Sequence, residues 1–260
     1  MKVKSVVKIM NFHSLLRVNS ARRKAEELDK YEKELFSVID SILNNKNFIL
    51  DKKSLIPPKG KNDLIIYIGN DYGFCSNFNS NINDAIKIDQ SNDKILIGKK
   101  LTSNATNVIM SLDKENFYRE TYSLNNYILD SLINFRYSSI KVVYNHYYNV
   151  NKLGFVEKTI FPIEPLKENK NKYNEAFVVE GDINDILINL VSLYIGNEIL
   201  IAEASSWAAE NVMRQLVTKE SLDKIEKIEE ETENKCRREK KRKAFKKIIE
   251  NSTYVKQGEE

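Results

Sequence analysis

The chain has 260 residues, of which 42% are apolar and 30% are charged, so it can bury a core and still carry much solvated helix surface. Its net charge of +4 is too small to indicate a nucleic-acid-binding protein. The two cysteines form no CxxC pair, which argues against a disulfide framework and a zinc site and predicts a reduced, cytoplasmic setting. No apolar run approaches the roughly 18 residues of a membrane span, so we expect a soluble protein without a transmembrane helix.

The N-terminal segment is predicted to form one helix from about Lys4 to about Asn47, because no proline or glycine precedes Pro57. Its apolar residues keep the 3-4 spacing of a coiled-coil seam, and the same register extends backwards with polar exceptions. We therefore predict a shaft helix within residues 1–56. The predicted seam positions are Leu28, Tyr31, Leu35, Val38 and Ile42, continued by Ala21, Arg17, Ser14, Met10 and Val7.

The middle of the chain, from about Asp63 to Glu180, alternates short apolar runs with helical stretches. Continuous apolar runs such as Leu64–Ile68 are typical of strands covered on both faces of a sheet. We predict a Rossmann-like α/β domain with a mostly parallel sheet over residues 57–181. The predicted strands are Leu64–Ile68, Ile95–Ile97, Ile140–Tyr144, Phe155–Phe161 and a possible fifth at Ala176–Val179, and the predicted helices are Asn79–Ile88, Thr102–Ser111 and Arg119–Phe135.

The turn after the first predicted strand has two glycines four residues apart, Gly69 and Gly73. A dinucleotide site needs the pattern G-x-G-x-x-G and a P-loop needs Gly-Lys-Ser/Thr, and the sequence contains neither. Cys75 lies near the start of the following helix and could be imagined as a nucleophile, but His146 is the only candidate for its base. We therefore predict a structural turn, with no catalytic residue, no cofactor and no metal site.

The C-terminal segment is predicted to be a much longer helix. Gly181 and Asp182 resemble a turn followed by an N-cap, and from Ile183 to about Asn251 only Gly196 opposes helix formation. Such a helix is on the order of 100 Å long. Its first part is rich in apolar residues, whereas between Glu226 and Lys243 the only clearly apolar side chains are Ile228 and Cys236, so burial in its own chain cannot support that part. We assign residues 182–260 to this second shaft helix and expect it to pair antiparallel with the first.

The charge pattern of the last helix is its most distinctive feature. An acidic block is followed by nine basic residues within thirteen positions, and these positive charges favour an acidic partner surface. An apolar patch near the end of the helix would suit a socket in another protein. The acidic block is Glu226, Glu229, Glu230, Glu231 and Glu233; the basic residues are Lys235, Arg237, Arg238, Lys240, Lys241, Arg242, Lys243, Lys246 and Lys247; the patch is Ala244, Phe245, Ile248 and Ile249.

In this order of elements the chain resembles the γ subunit of F-type ATP synthases over nearly its whole length. The family's turn after the first strand reads Ser-Asp/Thr-Asp-Arg-Gly-Leu-Cys-Gly-x-x-Asn, and Tyr72 stands here in place of the usual arginine. Asn234-Lys235-Cys236-Arg237 resembles the family's Asn-Lys-Ala-Arg, while the following residues depart from it, which indicates a divergent member. The turn positions that match the family are Asp71, Gly73, Cys75 and Asn79.

The resemblance implies a non-catalytic central shaft that turns inside a ring of α- and β-type ATPase subunits. It implies a base domain that meets an ε-type subunit and a membrane rotor ring, or other machinery in their place, and a cytoplasmic location peripheral to the membrane. It also implies roles for the last helix. The bearing tip would be Phe245, Ile248 and Ile249, and the contacts with β-subunit loops would be made by Lys235, Arg237, Arg238, Lys240, Lys241, Arg242 and Lys243.

Two other functions fit parts of the sequence. One is a coiled-coil adaptor whose basic end binds nucleic acid or protein, which predicts nucleic-acid binding that weakens steeply with salt. The other is a small Rossmann-like enzyme that uses Cys75, which predicts a reactive thiol and turnover by the isolated chain. The shaft function involves ATPase subunits as partners and no nucleic acid.

Overall fold

A computed structural model describes residues 2–43, 57–58, 60–101, 105–163 and 180–257. The chain divides into two compact units, Met1–Phe12 with Gln215–Glu260 and His13–Arg214, and each is described by itself below. The elements in chain order are α1 (Lys2–Leu43), β1 (Leu64–Ile68), α2 (Ser80–Ile88), β2 (Asp93–Ile97), β3 (Val108–Leu112), α3 (Lys114–Arg119), α4 (Thr121–Ile133), β4 (Ile140–Asn149), β5 (Lys152–Phe161) and α5 (Ile183–Gln257).

The larger unit is built on a five-stranded sheet of order β3-β2-β1-β4-β5. Strands β1 to β4 are parallel, and β5 pairs antiparallel with β4. All five residues of β1 are buried because both faces of the sheet are covered. Ile66 packs towards Leu187 and Val191 of α5, and on the other face Ile65 packs with Ile82 of α2. The predicted fold class, an α/β domain inserted between long terminal helices, is confirmed.

Two predicted helices of this unit differ from the structure. The predicted helix Thr102–Ser111 is wrong, because Val108–Leu112 is the edge strand β3; residues 102–104 lie outside the described part. Asn107 has a left-handed φ of 57° immediately before this strand, which interrupts any helix there. The predicted helix Arg119–Phe135 begins earlier and is divided into α3 and α4 at Glu120. The possible strand Ala176–Val179 lies outside the described residues.

In the larger unit α1 and α5 run antiparallel, as predicted. The amide of Asn197 donates to the backbone oxygen of Leu28 at 3.2 Å, and four residues further along α1 Glu32 accepts from the hydroxyl of Tyr194 at 3.4 Å. The predicted seam is wrong at three positions of this unit, since Arg17 is exposed, Tyr31 is 48% exposed and Val38 is 47% exposed. The buried face is displaced by one residue at all three places, and in this unit it includes Ser14, Val18, Ala21, Leu35, Ile39 and Ile42, with Glu32 partly buried between them.

The start of α5 and its internal glycine both have clear physical reasons. Gly181 takes a φ of 112°, and the Asp182 carboxylate then accepts from the backbone nitrogen of Asn184 at 2.8 Å as the predicted N-cap. Gly196 lies where α4 approaches α5 closely, since a Cβ there would stand 2.5 Å from Oδ1 of Asn125. Close helix packing therefore accounts for the glycine.

One stretch of α5 is long and apolar enough to cross a membrane by length and composition. This corrects the expectation that no segment reaches that limit. The stretch is 56% buried inside the protein, because Leu187, Val191 and Ile195 cover the sheet. Its apolar character thus has an explanation within the core.

In the smaller unit the two helices are also antiparallel. Asn11 donates to the backbone oxygen of Gln215 and to the hydroxyl of Thr218, both at 3.0 Å. Lys4 donates to Glu229 at 2.7 Å and lies 3.4 Å from Glu226. From Glu226 to Ile249 every residue is exposed. The domain boundaries 1–56, 57–181 and 182–260 stay a prediction.

Candidate functional site

The first candidate site is the segment Glu226–Ile249 of α5, called here the exposed helix. It lies in the smaller unit, and all of its side chains are open to solvent. Its acidic block begins beside Lys4, whose hydrogen bond lowers the pKa of Glu229. The basic block begins two residues after the acidic block, at Lys235, and Arg237 pairs with Glu233 at 2.8 Å. A helix segment in which every residue is exposed needs support from a partner.

The predicted tip residues lie together on one face of the exposed helix, because positions i, i+3 and i+4 share a face. Phe245 is 66%, Ile248 65% and Ile249 50% exposed. The predicted loop-contact residues lie in the turns immediately before them, and all are exposed: Lys235, Arg237, Arg238, Lys240, Lys241, Arg242 and Lys243. Apolar and basic groups are therefore available to a partner along the same short segment.

The second candidate site, in the larger unit, is the turn between β1 and α2. Asp71 holds it by accepting from the backbone nitrogens of Lys99 at 2.9 Å and Lys114 at 3.1 Å. Asn79 closes it by donating to Oδ1 of Asn70 at 2.7 Å and to a backbone oxygen at 3.1 Å. Nothing in the space around Gly73 requires a glycine. Asp71 and Asn79, two of the four turn positions that match the family, therefore stabilise the turn through hydrogen bonds.

Cys75 is buried in this turn, with 2% of its surface exposed. Burial raises the pKa of its thiol above the ordinary value, although the neighbouring Arg214 acts in the opposite direction. His146, the candidate base, instead bonds through Nδ1 to the hydroxyl of Ser205 at 3.0 Å and lies 3.3 Å from that of Tyr144. Among the described residues, no hydrogen bond joins His146 to Cys75.

An open cleft of about 360 Å³ lies over the same turn. Its lining includes four asparagines, two serines and two aromatic residues, with Lys100 as a cation. Within the described ranges no group of three His, Cys, Asp or Glu side chains could hold a metal ion. The cleft therefore has neither the carboxylate set of a cation site nor the glycine-rich loop of a nucleotide site.

Sequence reasoning missed a set of buried charges on α5. Glu203 and Glu210 are each 1% exposed and Arg214 is 5% exposed. Lys114 of α3 joins them, 2.6 Å from Glu210. A signal was present, because these charges stand among alanine and valine residues in the buried half of the helix, where unpaired charges are not tolerated.

Antiparallel terminal helices, an α/β domain between them and an uncovered charged helix define a shaft-type subunit that acts within an assembly. The profile of the ATP synthase family matches residues 1–250, and the chain belongs to this family. It is 24% identical to an ATP synthase gamma chain of Mycoplasma capricolum, over 92% of this chain and 89% of that one. It is 26% identical to an ATP synthase gamma chain of the Wolbachia of Brugia malayi, over 86% of each.

Solved structures show the same fold. A chain of the Tetrahymena thermophila mitochondrial ATP synthase central stalk and c-ring matches with a TM-score of 0.59 at 13% identity, over 83% of this chain and 99% of that one. A chain of the Euglena gracilis mitochondrial ATP synthase matches with a TM-score of 0.52 at 14% identity, over 94% of this chain and 96% of that one. The predicted resemblance to the γ subunit is confirmed, and with it the prediction of a rotor-shaft subunit.

Proposed function

We propose that this rotor shaft turns inside a ring of α- and β-type ATPase subunits and couples rotation to ATP synthesis or hydrolysis there, without an active site of its own. The observation that carries the proposal is the exposed helix. Every residue from Glu226 to Ile249 is open to solvent, so its own described chain offers no cover for this length of helix. A surrounding protein supplies that cover, and the relatives' names, ATP synthase gamma chain, indicate which one.

The tip of the exposed helix supports this arrangement through its apolar face. Phe245, Ile248 and Ile249 would turn in an apolar sleeve of the ring, where burial of their surface holds the shaft without fixing its angle, because hydrophobic contact is non-directional. The basic block before the tip would engage acidic loops of the β-type subunits. Charge attraction of this kind steers and orients a contact more than it strengthens it.

Coupling follows from the asymmetry of the shaft. Lys4 of α1 contacts only part of the acidic block, so the shaft offers different groups to the subunits around it. Each β-type subunit would meet a different face at a given angle, and its nucleotide affinity would change as the shaft turns. A protein state shifts only by as much as its partner binds one state better than the other. The shaft acts as the effector that changes the nucleotide affinity of each β-type subunit.

The α/β domain would form the base that meets an ε-type subunit and a membrane rotor ring, or substitute machinery. The chain would accordingly be cytoplasmic and attached to the membrane through its complex. The adaptor alternative shares the basic block, but it gives no reason for an apolar tip directly beyond it.

The experiment reconstitutes the full chain with α- and β-type ATPase subunits and measures coupled ATP turnover. We expect the triple variant Phe245→Ser/Ile248→Ser/Ile249→Ser to fold like the wild type and to lose coupling, because only solvent-exposed side chains change. Glu239→Ser, on the same exposed helix, is the matched control. Unchanged coupled turnover in the triple variant would refute the role given to the tip, and failure of the wild type to bind the ring would refute the shaft.

A further inference from the structure

The buried charges of α5 lie where the helix passes the α/β domain. Glu203, Glu210 and Arg214 are spaced by seven and four residues, which places them on one side of the helix. The residues around them are small, since Ala204, Ala208 and Ala209 are completely buried. Small apolar side chains pack closely but resist sliding and twisting poorly, because their attraction has no direction.

Glu210 is the centre of the charged set. Its Oε2 accepts from Nζ of Lys114 at 2.6 Å, and its Oε1 accepts from Nη2 of Arg214 at 2.5 Å. Lys114 belongs to α3 and is also 3.9 Å from Glu203. Both carboxylate oxygens of Glu210 are therefore used, one by a neighbour on the same helix and one by the domain beside it.

Arg214 extends the set to the turn after β1. Its Nε donates to the backbone oxygen of Gly73 at 3.3 Å, and its Nη2 lies 3.3 Å from Sγ of Cys75. The guanidinium stands 6.0 Å from the ring centroid of Tyr72, the residue that replaces the arginine of the family's turn. The cation beside Tyr72 is thus supplied by α5. A planar fork with several fixed donors holds orientation better than a single point charge.

The domain side of this contact is itself held firmly. The backbone nitrogen of Lys114 donates to Asp71 at 3.1 Å, so the turn and α3 are joined independently of α5. Tyr118 of α3 donates to Glu203, and Nζ of Lys24 from α1 lies 2.9 Å from the Tyr118 hydroxyl. Directional, charge-assisted bonds therefore link three elements around one stretch of α5.

We propose that Glu210 and Arg214 are the torque-bearing positioning residues that lock α5 to the α/β domain, so that the helix and the domain turn together. This role rests on the proposed function as a rotor shaft. Load on α5 is resisted here by bonds of defined direction to Lys114, Gly73 and Cys75. Without them, the helix would twist more easily against the domain at this level, where its face is formed by alanines, while its bonds at Glu198 to β5 and at Ser205 to β4 remain.

The test measures the torsional stiffness of the assembled rotary complex. A bead is attached through a cysteine introduced at Lys87, which is exposed on α2, in a Cys236→Ser background, and the width of its angular fluctuations is recorded while the ring is arrested. We expect Arg214→Gln to lower the stiffness at least twofold and Arg214→Lys to lower it less, with unloaded ATP hydrolysis unchanged. The control is Arg119→Gln, which breaks an exposed i,i+4 pair with Glu115 of the same chemistry.

A purely stabilising role would lower the yield of complex and leave the stiffness of assembled complexes unchanged, and that result would overturn the proposal. If the Arg214→Gln chain does not assemble, the double variant Lys114→Met/Glu210→Gln replaces it and removes both charges of the Lys114–Glu210 pair. Lower torsional stiffness in that variant would support the proposal, and unchanged stiffness would overturn it. A wild-type chain that yields no rotating complex would overturn the shaft function itself, and this role with it. A wild-type complex that rotates while the variants keep full stiffness overturns this role alone.

Discussion

Truncation of the chain after Thr232 distinguishes residues that stabilise the folded chain from residues that serve only the assembled complex. The cut removes the basic block and the apolar tip of the exposed helix. It leaves the contacts of Lys4 with Glu226 and Glu229 in place. If the removed segment contacts only a partner, its loss should leave the free energy of unfolding of the free chain almost unchanged.

The expected change in stability follows from what the segment buries. Every side chain described between Glu233 and Ile249 is exposed, so almost no apolar surface is returned to water by the cut. The Arg237 and Glu233 side chains are both exposed, and such a helix pair contributes about 0.2–0.5 kcal/mol. We therefore expect the free energy of unfolding to change by less than about 0.5 kcal/mol. The contrasting change is Ile199→Ala, at a fully buried position, which should cost about 2–5 kcal/mol.

Urea unfolding of the three proteins measures these differences through the transition midpoint. The truncated chain should unfold at the wild-type midpoint, and Ile199→Ala should unfold at a clearly lower one. Helix content measured by circular dichroism should fall with the truncation, because the removed residues are helical. A loss of more than about 2 kcal/mol on truncation would show that the segment is held by its own chain, and the reasoning would be refuted.

Three further changes have definite outcomes. Burial, together with the adjacent Glu198, raises the pKa of Glu32 from 4.5 to about 7. The folded state therefore binds this proton more tightly than the unfolded state, and the free energy of unfolding should fall as pH rises from about 4.5 to 7. Glu32→Gln should flatten that pH dependence in urea titrations. Cys236 should react quickly with an alkylating reagent and buried Cys75 only on unfolding, as mass spectrometry would show. Gly196→Ala should destabilise the protein by no more than about 2 kcal/mol in the same unfolding assay, because displacement of the Asn125 side chain is partly offset by about 1 kcal/mol of helix propensity.

The long helices and most of the sheet could be predicted because their signals are local. The absence of proline, and of every glycine but Gly196, predicted both terminal helices, and the continuous apolar run Leu64–Ile68 predicted the central strand β1. The strand Val108–Leu112 was missed because an edge strand is short and only partly buried, so its apolar residues do not distinguish it from a helix. This segment forms a strand because β2, already part of the sheet, offers an edge with which it pairs.

The seam of α1 and the charged contacts of α5 could not be predicted because polar residues occupy the interior. Glu32 takes an inward position through its hydrogen bond with Tyr194, which displaces Tyr31 to the surface. Glu210 is buried because Lys114, distant in sequence, reaches it. Apolar periodicity assumes that charges face water, and it fails wherever another element brings the opposite charge.

The rotation of a single complex tests the central claim most directly. The full chain would be assembled with α- and β-type ATPase subunits fixed to a surface, with a bead attached to the α/β domain, and ATP would then be added. We predict that the bead turns in one direction in steps that follow ATP turnover, and that the chain truncated after Thr232 loses this coupling. A ring that hydrolyses ATP at the same rate while the bead stays still would contradict the account.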